Sequence, residues 1–387
     1  MNRIFVEPLD VLLFRSERPF TARETHMAKM GAISPSVFEG AIKSKIFYDF
    51  CKEKEFSPAE FQRIRNEGEN AFRKRVDEKL SENNDLREIL EFIGHPTVSK
   101  RNQIIVRGVF FAREGEYQEH FPIPNDIVRK DEEIVKLEPK ENIRGNVSYG
   151  SPVSIALSKY FHIENVDGLM IFDELVKYLK GCIPEVQKVE HIGKKLSKPY
   201  FKETRTGIEL EKGKKRTLEE ALYVAEFLRV IEKWGFTVWY EAPNNILSEK
   251  GIIKLGGEGK GAVYNKIDEK TFDFSSQLID EINREKKFKL YLPTPSLFNG
   301  WKPPVEEIKK VFGVDRLMII SALPGKSIYI GGYDFALNKE KPLRRWVNAG
   351  AIYYFRFEGK IRRDLPIPIK ILNDSNIEMR CGFIGRW

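Results

Sequence analysis

Apolar and polar positions follow two rhythms along this chain, and each rhythm predicts an element. Arg3 to Phe14, RIFVEPLDVLLF, is dense in branched and aromatic residues and reads as an opening strand interrupted near Pro8, which has no N–H to give a ladder. Ser34-Pro35 then supplies an N-cap and a first-turn proline for a helix running to about Phe50. Its apolar stripe is Val37, Phe38, Ala41, Ile42 and Ile46, with Lys43 and Lys45 on the other side. Gly40 costs that helix about 1 kcal/mol relative to alanine, so a close neighbour is expected there. From Cys51 to about Phe92 the pattern is charged and helical, without a strand signal, and predicts a helical insertion over about 51–95.

Strand character resumes at Gln103 to Ala112, with a turn near Gly115 and a partner strand ending over Phe121 to Pro124. Gly145 to Pro152 reads as loop. Lys188 to Arg216 holds ten lysines and arginines with several glycines and reads as a basic linker, placing a domain boundary near residue 200. Leu222 to Trp234 fits a helix by periodicity, yet Phe227 to Val230 followed by Phe236 to Tyr240 fits a hairpin about Lys233 to Gly235, the reading preferred here. Helices at Ser276 to Glu285 and Val305 to Phe312 then interleave with strands at Lys289 to Leu292, Leu317 to Ser321, Ser327 to Ile330 and Ala351 to Phe357. This order lacks the regular strand-turn-helix repetition of a doubly wound sheet and favours an α+β fold. Two ferredoxin-like units would fit, one over 1–200 and one over 201–387.

Composition narrows the function. With 387 residues, 41% hydrophobic and 32% charged with both signs mixed, the chain has material for real cores under a charged coat. Lysine and arginine exceed aspartate and glutamate by 65 to 57; the net charge of +8 suits a polyanionic partner and equally suits simple solubility. Abundant Lys, Glu and Arg with few Cys also suit a thermophile. The three cysteines, Cys51, Cys182 and Cys381, match no zinc or redox spacing and imply a reducing cytoplasm. No signal peptide or long apolar span is legible, so no membrane role is expected.

Several clusters could carry chemistry. Leu255-Gly256-Gly257-Glu258-Gly259-Lys260-Gly261-Ala262 has a backbone free to turn N–H groups outward beside a cation, which could cradle a phosphate; an ordinary hairpin loop is the competing reading. It is not a Walker A loop, because Gly261 follows Lys260 where a hydroxyl is needed for magnesium. The helix start at Ser34 to Ser36, followed by Lys43 and Lys45, offers an anion free N–H groups. Arg344-Arg345-Trp346 and the tail Arg380-Cys381-Gly382-Phe383-Ile384-Gly385-Arg386-Trp387 combine arginines with aromatics, as recognition of unpaired bases requires. The histidines His26, His95, His120, His162 and His191 form no metal-binding pair. A metal-independent ribonuclease could still use His26 as a general base.

Order and spacing of short pieces add a resemblance. Pro8-Leu9-Asp10-Val11-Leu12-Leu13-Phe14-Arg15, Arg18-Pro19-Phe20, Pro35-Ser36, Gly40-Ala41, Arg205-Thr206-Gly207-Ile208, Leu222-Tyr223, Leu255-Gly256-Gly257-Glu258, Trp346 and Gly350-Ala351 together resemble subunit three of the Cmr complex of type III-B CRISPR systems, in the RAMP superfamily. Gly259-Lys260-Gly261 is less basic than the family's loop. The resemblance implies two ferredoxin-like domains, no cofactor and no catalysis, with recognition of the 5′ handle of crRNA. It further implies docking on the large palm-domain subunit and the neighbouring backbone RAMP subunit, with target RNA met indirectly. On this reading Arg15, Arg18, Ser36, Gly256, Gly257 and Lys260 are expected to line one basic groove, with Arg205, Arg344, Arg345, Arg380 and Arg386 as further phosphate or base-stacking contacts and Lys43, Lys45, Glu258 and Trp346 among the RNA-binding residues.

Overall fold

The structure is a computed structural model that describes residues 1–14, 28–54, 57, 68–95, 97–98, 102–144, 154–157, 163–210, 217–243, 246–270, 272, 276–334, 336–337, 339–373 and 377–387. The fold is α+β, with several antiparallel sheets and six helices among the described residues. None of these helices is long and apolar enough to cross a membrane. The chain forms two compact units that are not consecutive. Unit 1 is Met1–Val109, Tyr200–Lys270 and Tyr329–Arg344; unit 2 is Phe110–Pro199, Thr271–Ile328 and Arg345–Trp387. The expected boundary near residue 200 coincides with one of several crossings between them.

Unit 1 is built on β1 (Asn2–Pro8), the helices α1 (Pro35–Glu53), α2 (Glu69–Glu82) and α3 (Asn84–Ile93), and β2 (Ile105–Arg113), which passes into unit 2 after Val109. Then come β3 (Tyr200–Leu210), β4 (Thr217–Val230), β5 (Trp234–Glu241), β6 (Lys250–Lys254) and β7 (Gly261–Ile267). The sheet order is β6-β7-β1-β5-β2, with β1 antiparallel to both β5 and β7. β1 and β2 are joined through helices and flank β5, a split β-α-β arrangement. Ile4, Phe5 and Val6 are all buried, as a central strand covered on both faces requires. Phe38 of α1 meets Phe236 of β5 edge-on, centroids 5.3 Å apart.

Unit 2 contains α4 (Phe172–Leu179), α5 (Ser276–Glu285), β8 (Lys287–Leu292), α6 (Val305–Phe312), β9 (Arg316–Leu323), β10 (Ala351–Glu358), β11 (Ile369–Asn373) and β12 (Ile377–Gly385). Its main sheet, ordered β9-β10-β8-β12-β11, is antiparallel throughout. β8, α6 and β9 repeat the split arrangement around β10. Phe288 lies 5.0 Å from both Phe312 and Phe355, so α6 closes on the sheet through aromatic contacts.

Four local expectations are corrected. The described part of the basic stretch after Lys188 is mainly strand, Val189–His191 pairing Lys194–Leu196 and β3 pairing β4, with Lys194, Lys195 and Lys202 on exposed ribbon positions. Phe227 to Val230 and Phe236 to Tyr240 are strands about a turn at Lys233, φ 63°, but they enter different sheets. Gly40 is exposed, and among the described residues nothing lies within 4 Å of a Cβ added there. Ser34 holds the N-cap position without a side-chain cap; its hydroxyl meets that of Ser36 at 2.8 Å.

Candidate nucleic-acid interface

The β6–β7 hairpin carries the glycine-rich loop, and its placement depends on Gly256. Gly256 adopts φ +78°, and a Cβ there would sit 2.6 Å from the Leu13 carbonyl oxygen, so no other residue permits this approach. The Gly257 N–H donates to that carbonyl at 2.8 Å. The Leu255 N–H donates to the Lys260 carbonyl and the Lys260 N–H to Gly257, so these three groups are engaged inside the protein rather than turned outward.

Leu13 and Phe14 immediately precede the segment bearing Arg15, Arg18 and His26, which lies outside the described residues. The chain on either side is pinned to β4. Leu12 and Leu228 exchange two backbone bonds, Ala28 donates to Val224 and accepts from Glu226, and the Gly31 N–H reaches the Phe14 carbonyl at 2.7 Å. The Glu226 carboxylate also accepts the Met30 N–H at 3.1 Å. Val11, Leu13, Ala225 and Phe227 form a small apolar cluster beneath.

Phe227 is 2% exposed and is covered by two cations: Lys260 Nζ lies 5.3 Å from its centroid and the Arg205 guanidinium 5.5 Å. Lysine and arginine from distant parts of the sequence thus share one ring. Their electrostatics differ. Arg205 donates to Glu203 at 2.7 Å and to Asp10 at 3.1 Å, while Arg229 bonds both carboxylates as well. Hydrogen bonds from Arg229 and Arg205 hold Glu203 down at about 2, and Arg205 foremost lowers Asp10. Among the described residues no carboxylate pairs with Lys260. It is therefore the better-placed cation for an incoming phosphate, and Arg205 is a brace.

Elsewhere the expected residues divide. Gly256, Gly257, Glu258 and Lys260 share the hairpin, where Glu258 adopts φ 56°. Ser36 stands in the first turn of α1, and Lys43 and Lys45 pair with Glu39 and Asp49 on the same helix. Arg344 is half-buried in unit 1, whereas Arg345, Trp346, Arg380 and Arg386 belong to unit 2. Two of that last group are buried and a third is held by an ion pair. Trp346 and Arg380 are each 7% exposed, which corrects the stacking expected of Trp346, and Arg386 donates to Glu281 at 3.0 Å and Glu285 at 2.7 Å. The tail is the buried strand β12, with Met379, Cys381 and Phe383 in the core. Arg345 is exposed and bonds Ser327 at 2.8 Å. The carboxylates Asp10 and Glu203, the second arginine Arg229 and the ring of Phe227 had no site role assigned from the sequence; the acidic Glu203 two residues before Arg205 was the available signal.

Fold and site define an α+β protein with a split β-α-β sheet in each unit and a glycine hairpin pinned beside a basic strand pair. The family model described as CRISPR-associated protein (Cas_Cmr3) matches residues 4–383, and the chain belongs to that family. It is also similar to a chain in the cryo-EM structure of the type III-B Cmr-beta complex bound to cognate target RNA and AMPPnP, at 17% identity over 91% of this chain and 86% of that one, TM-score 0.46. A chain of the Csm3-Csm4 subcomplex of the type III-A CRISPR-Cas interference complex is similar at 14% identity over 99% and 98%, TM-score 0.38. No curated protein sequence matches.

Proposed function

We propose that this chain is the subunit of a type III-B Cmr complex that holds the 5′ handle of crRNA, and that it leaves bond breaking to other subunits. The observation that carries this reading is Lys260, an unneutralised cation held over Phe227 at the foot of a hairpin that is bonded to Leu13. In the sequence Arg15 and Arg18 follow Leu13 by two and five positions, in a segment outside the described residues. Such an arrangement grips a sugar-phosphate strand by charge and position rather than by base reading. Family membership supports docking on the large palm-domain subunit and the adjacent backbone RAMP subunit, which would bring target RNA near indirectly.

The units are read as ferredoxin-like. Strands β7-β1-β5-β2 and β12-β8-β10-β9 each follow the 4-1-3-2 order of that β-α-β-β-α-β fold. Among the described residues the second crossover helix is replaced by β6 in unit 1 and by β11 in unit 2.

Titrating the assembled particle's handle RNA against salt tests the role of Lys260. Lys260→Ala is expected to weaken binding and to flatten the log–log salt dependence by about 0.7, one phosphate contact on a single strand. An unchanged slope removes Lys260 from the interface. Site-specific cleavage of repeat RNA in EDTA by the purified chain, lost on His26→Ala, would replace the non-catalytic reading with a ribonuclease.

A further inference from the structure

Unit 2 contains a pocket of about 340 Å³ whose lining includes Asp126, Lys136, Lys287, Lys289, Tyr354 and Trp387. Its floor is polar and almost completely bonded. The Asp126 carboxylate, itself buried, accepts the Tyr178 hydroxyl on both oxygens at 2.8 Å and the Tyr354 hydroxyl at 2.8 Å. Lys136 donates to the Gly181 carbonyl at 3.2 Å and stands 3.6 Å from Glu138.

Two donors break the pattern. Lys289 is 0% exposed, its Nζ lies 3.2 Å from the centroid of the Tyr178 ring, and it has no hydrogen-bond acceptor among the described residues. The buried Nε1 of Trp387 is likewise without an acceptor. A buried ammonium and a buried indole N–H left open are both destabilising, and an indole N–H can only donate. A third cation stands at the same wall, Lys287 Nζ, 4.7 Å from the Trp387 centroid. Asp126 accepts the Tyr178 and Tyr354 hydroxyls, and neither open donor makes a hydrogen bond to it. Asp126 and Glu138 also line the pocket, yet among the described residues no acceptor stands within hydrogen-bond distance of Lys289 Nζ or Trp387 Nε1.

We infer that this pocket binds a phosphate monoester, its oxygens accepting from Lys289 Nζ and Trp387 Nε1 with Lys287 at the rim. The volume falls at the small end of ligand pockets, roughly 300–1,000 Å³, and suits a phosphate carrying a small organic group. Burial, the chief cause, pushes the Lys289 ammonium down to about 7; an anion beside it favours the protonated form and reverses that shift.

Calorimetric titration of the full chain with AMP, inorganic phosphate and adenosine tests this. Saturable binding of AMP or phosphate, absent for adenosine and weakened about tenfold in Lys289→Met, is the expected result, since a hydrogen bond to a charged group is lost. Competition against AMP by a 5′-phosphorylated oligoribonucleotide, and not by its 5′-hydroxyl form, would identify an RNA terminus as the source; no competition would identify a free ester. Absence of phosphate-dependent binding, or Lys289→Met binding as well as wild type, overturns the site. If Lys289→Met does not fold, Trp387→Phe removes the indole donor alone and is expected to weaken binding about two- to tenfold, and unchanged affinity is again fatal.

Discussion

Replacing Gly256 by alanine tests whether the glycine hairpin is held by Leu13 or merely turns there. Alanine at φ +78° costs about 1 kcal/mol from its left-handed backbone alone. Its Cβ would also stand 2.6 Å from the Leu13 carbonyl oxygen, a backbone atom that cannot swing aside. The hairpin must then retreat, stretching or breaking the 2.8 Å bond from the Gly257 N–H, which adds about 1 kcal/mol. Gly259 provides the control: its φ is +63°, with nothing within 4 Å of the added Cβ, so Gly259→Ala carries only the backbone cost of about 1 kcal/mol. Urea unfolding of the full chain should therefore place Gly256→Ala about 2–3 kcal/mol below wild type and Gly259→Ala about 1 below. Equal losses in the two variants would show that the Leu13 contact stabilises nothing, and the pinned hairpin would no longer explain where Lys260 stands.

Two further outcomes follow from the ion pairs. Glu203 loses its proton at about 2 when folded against an ordinary 4.5, because Arg229 and Arg205 bond it; its contribution is complete above 4.5 and fades as pH falls toward 2. The urea midpoints of wild type and Glu203→Gln should accordingly converge through that window, and a gap that stays constant with pH would refute the brace. Arg386→Ala, which opens the contacts to Glu281 and Glu285, should lower stability by about 0.5–1 kcal/mol at its half-exposed site while leaving guide RNA affinity intact; a selective loss of RNA binding would return Arg386 to the interface.

Local rhythm was enough to read α1, α5, α6, β1, β2 and β10 and the α+β class, since each of these buries a face whose period is written in neighbouring residues. Of the helix stripe, Phe38, Ala41, Ile42 and Ile46 are buried and Val37 is half-buried, and β1 ends at Pro8. The glycine hairpin was visible too, because positive φ leaves a compositional mark. Partnership was not visible. Whether an arginine meets a phosphate or a carboxylate depends on what lies across a strand pair: Arg205 is braced by Asp10, 195 residues away, and Arg386 by Glu281, 105 away. The same holds for the tail, where Arg and Trp suggested a surface while alternate Met379, Cys381 and Phe383 place a strand inside unit 2. Lys289 sits in a strand like any other lysine, and only the surrounding Tyr178, Tyr354 and Asp126 deprive it of water. Composition and period are properties of neighbouring residues, so sequence determines elements and class; burial and charge pairing arise between segments far apart, so the tertiary structure alone decided which cations remain open to a ligand.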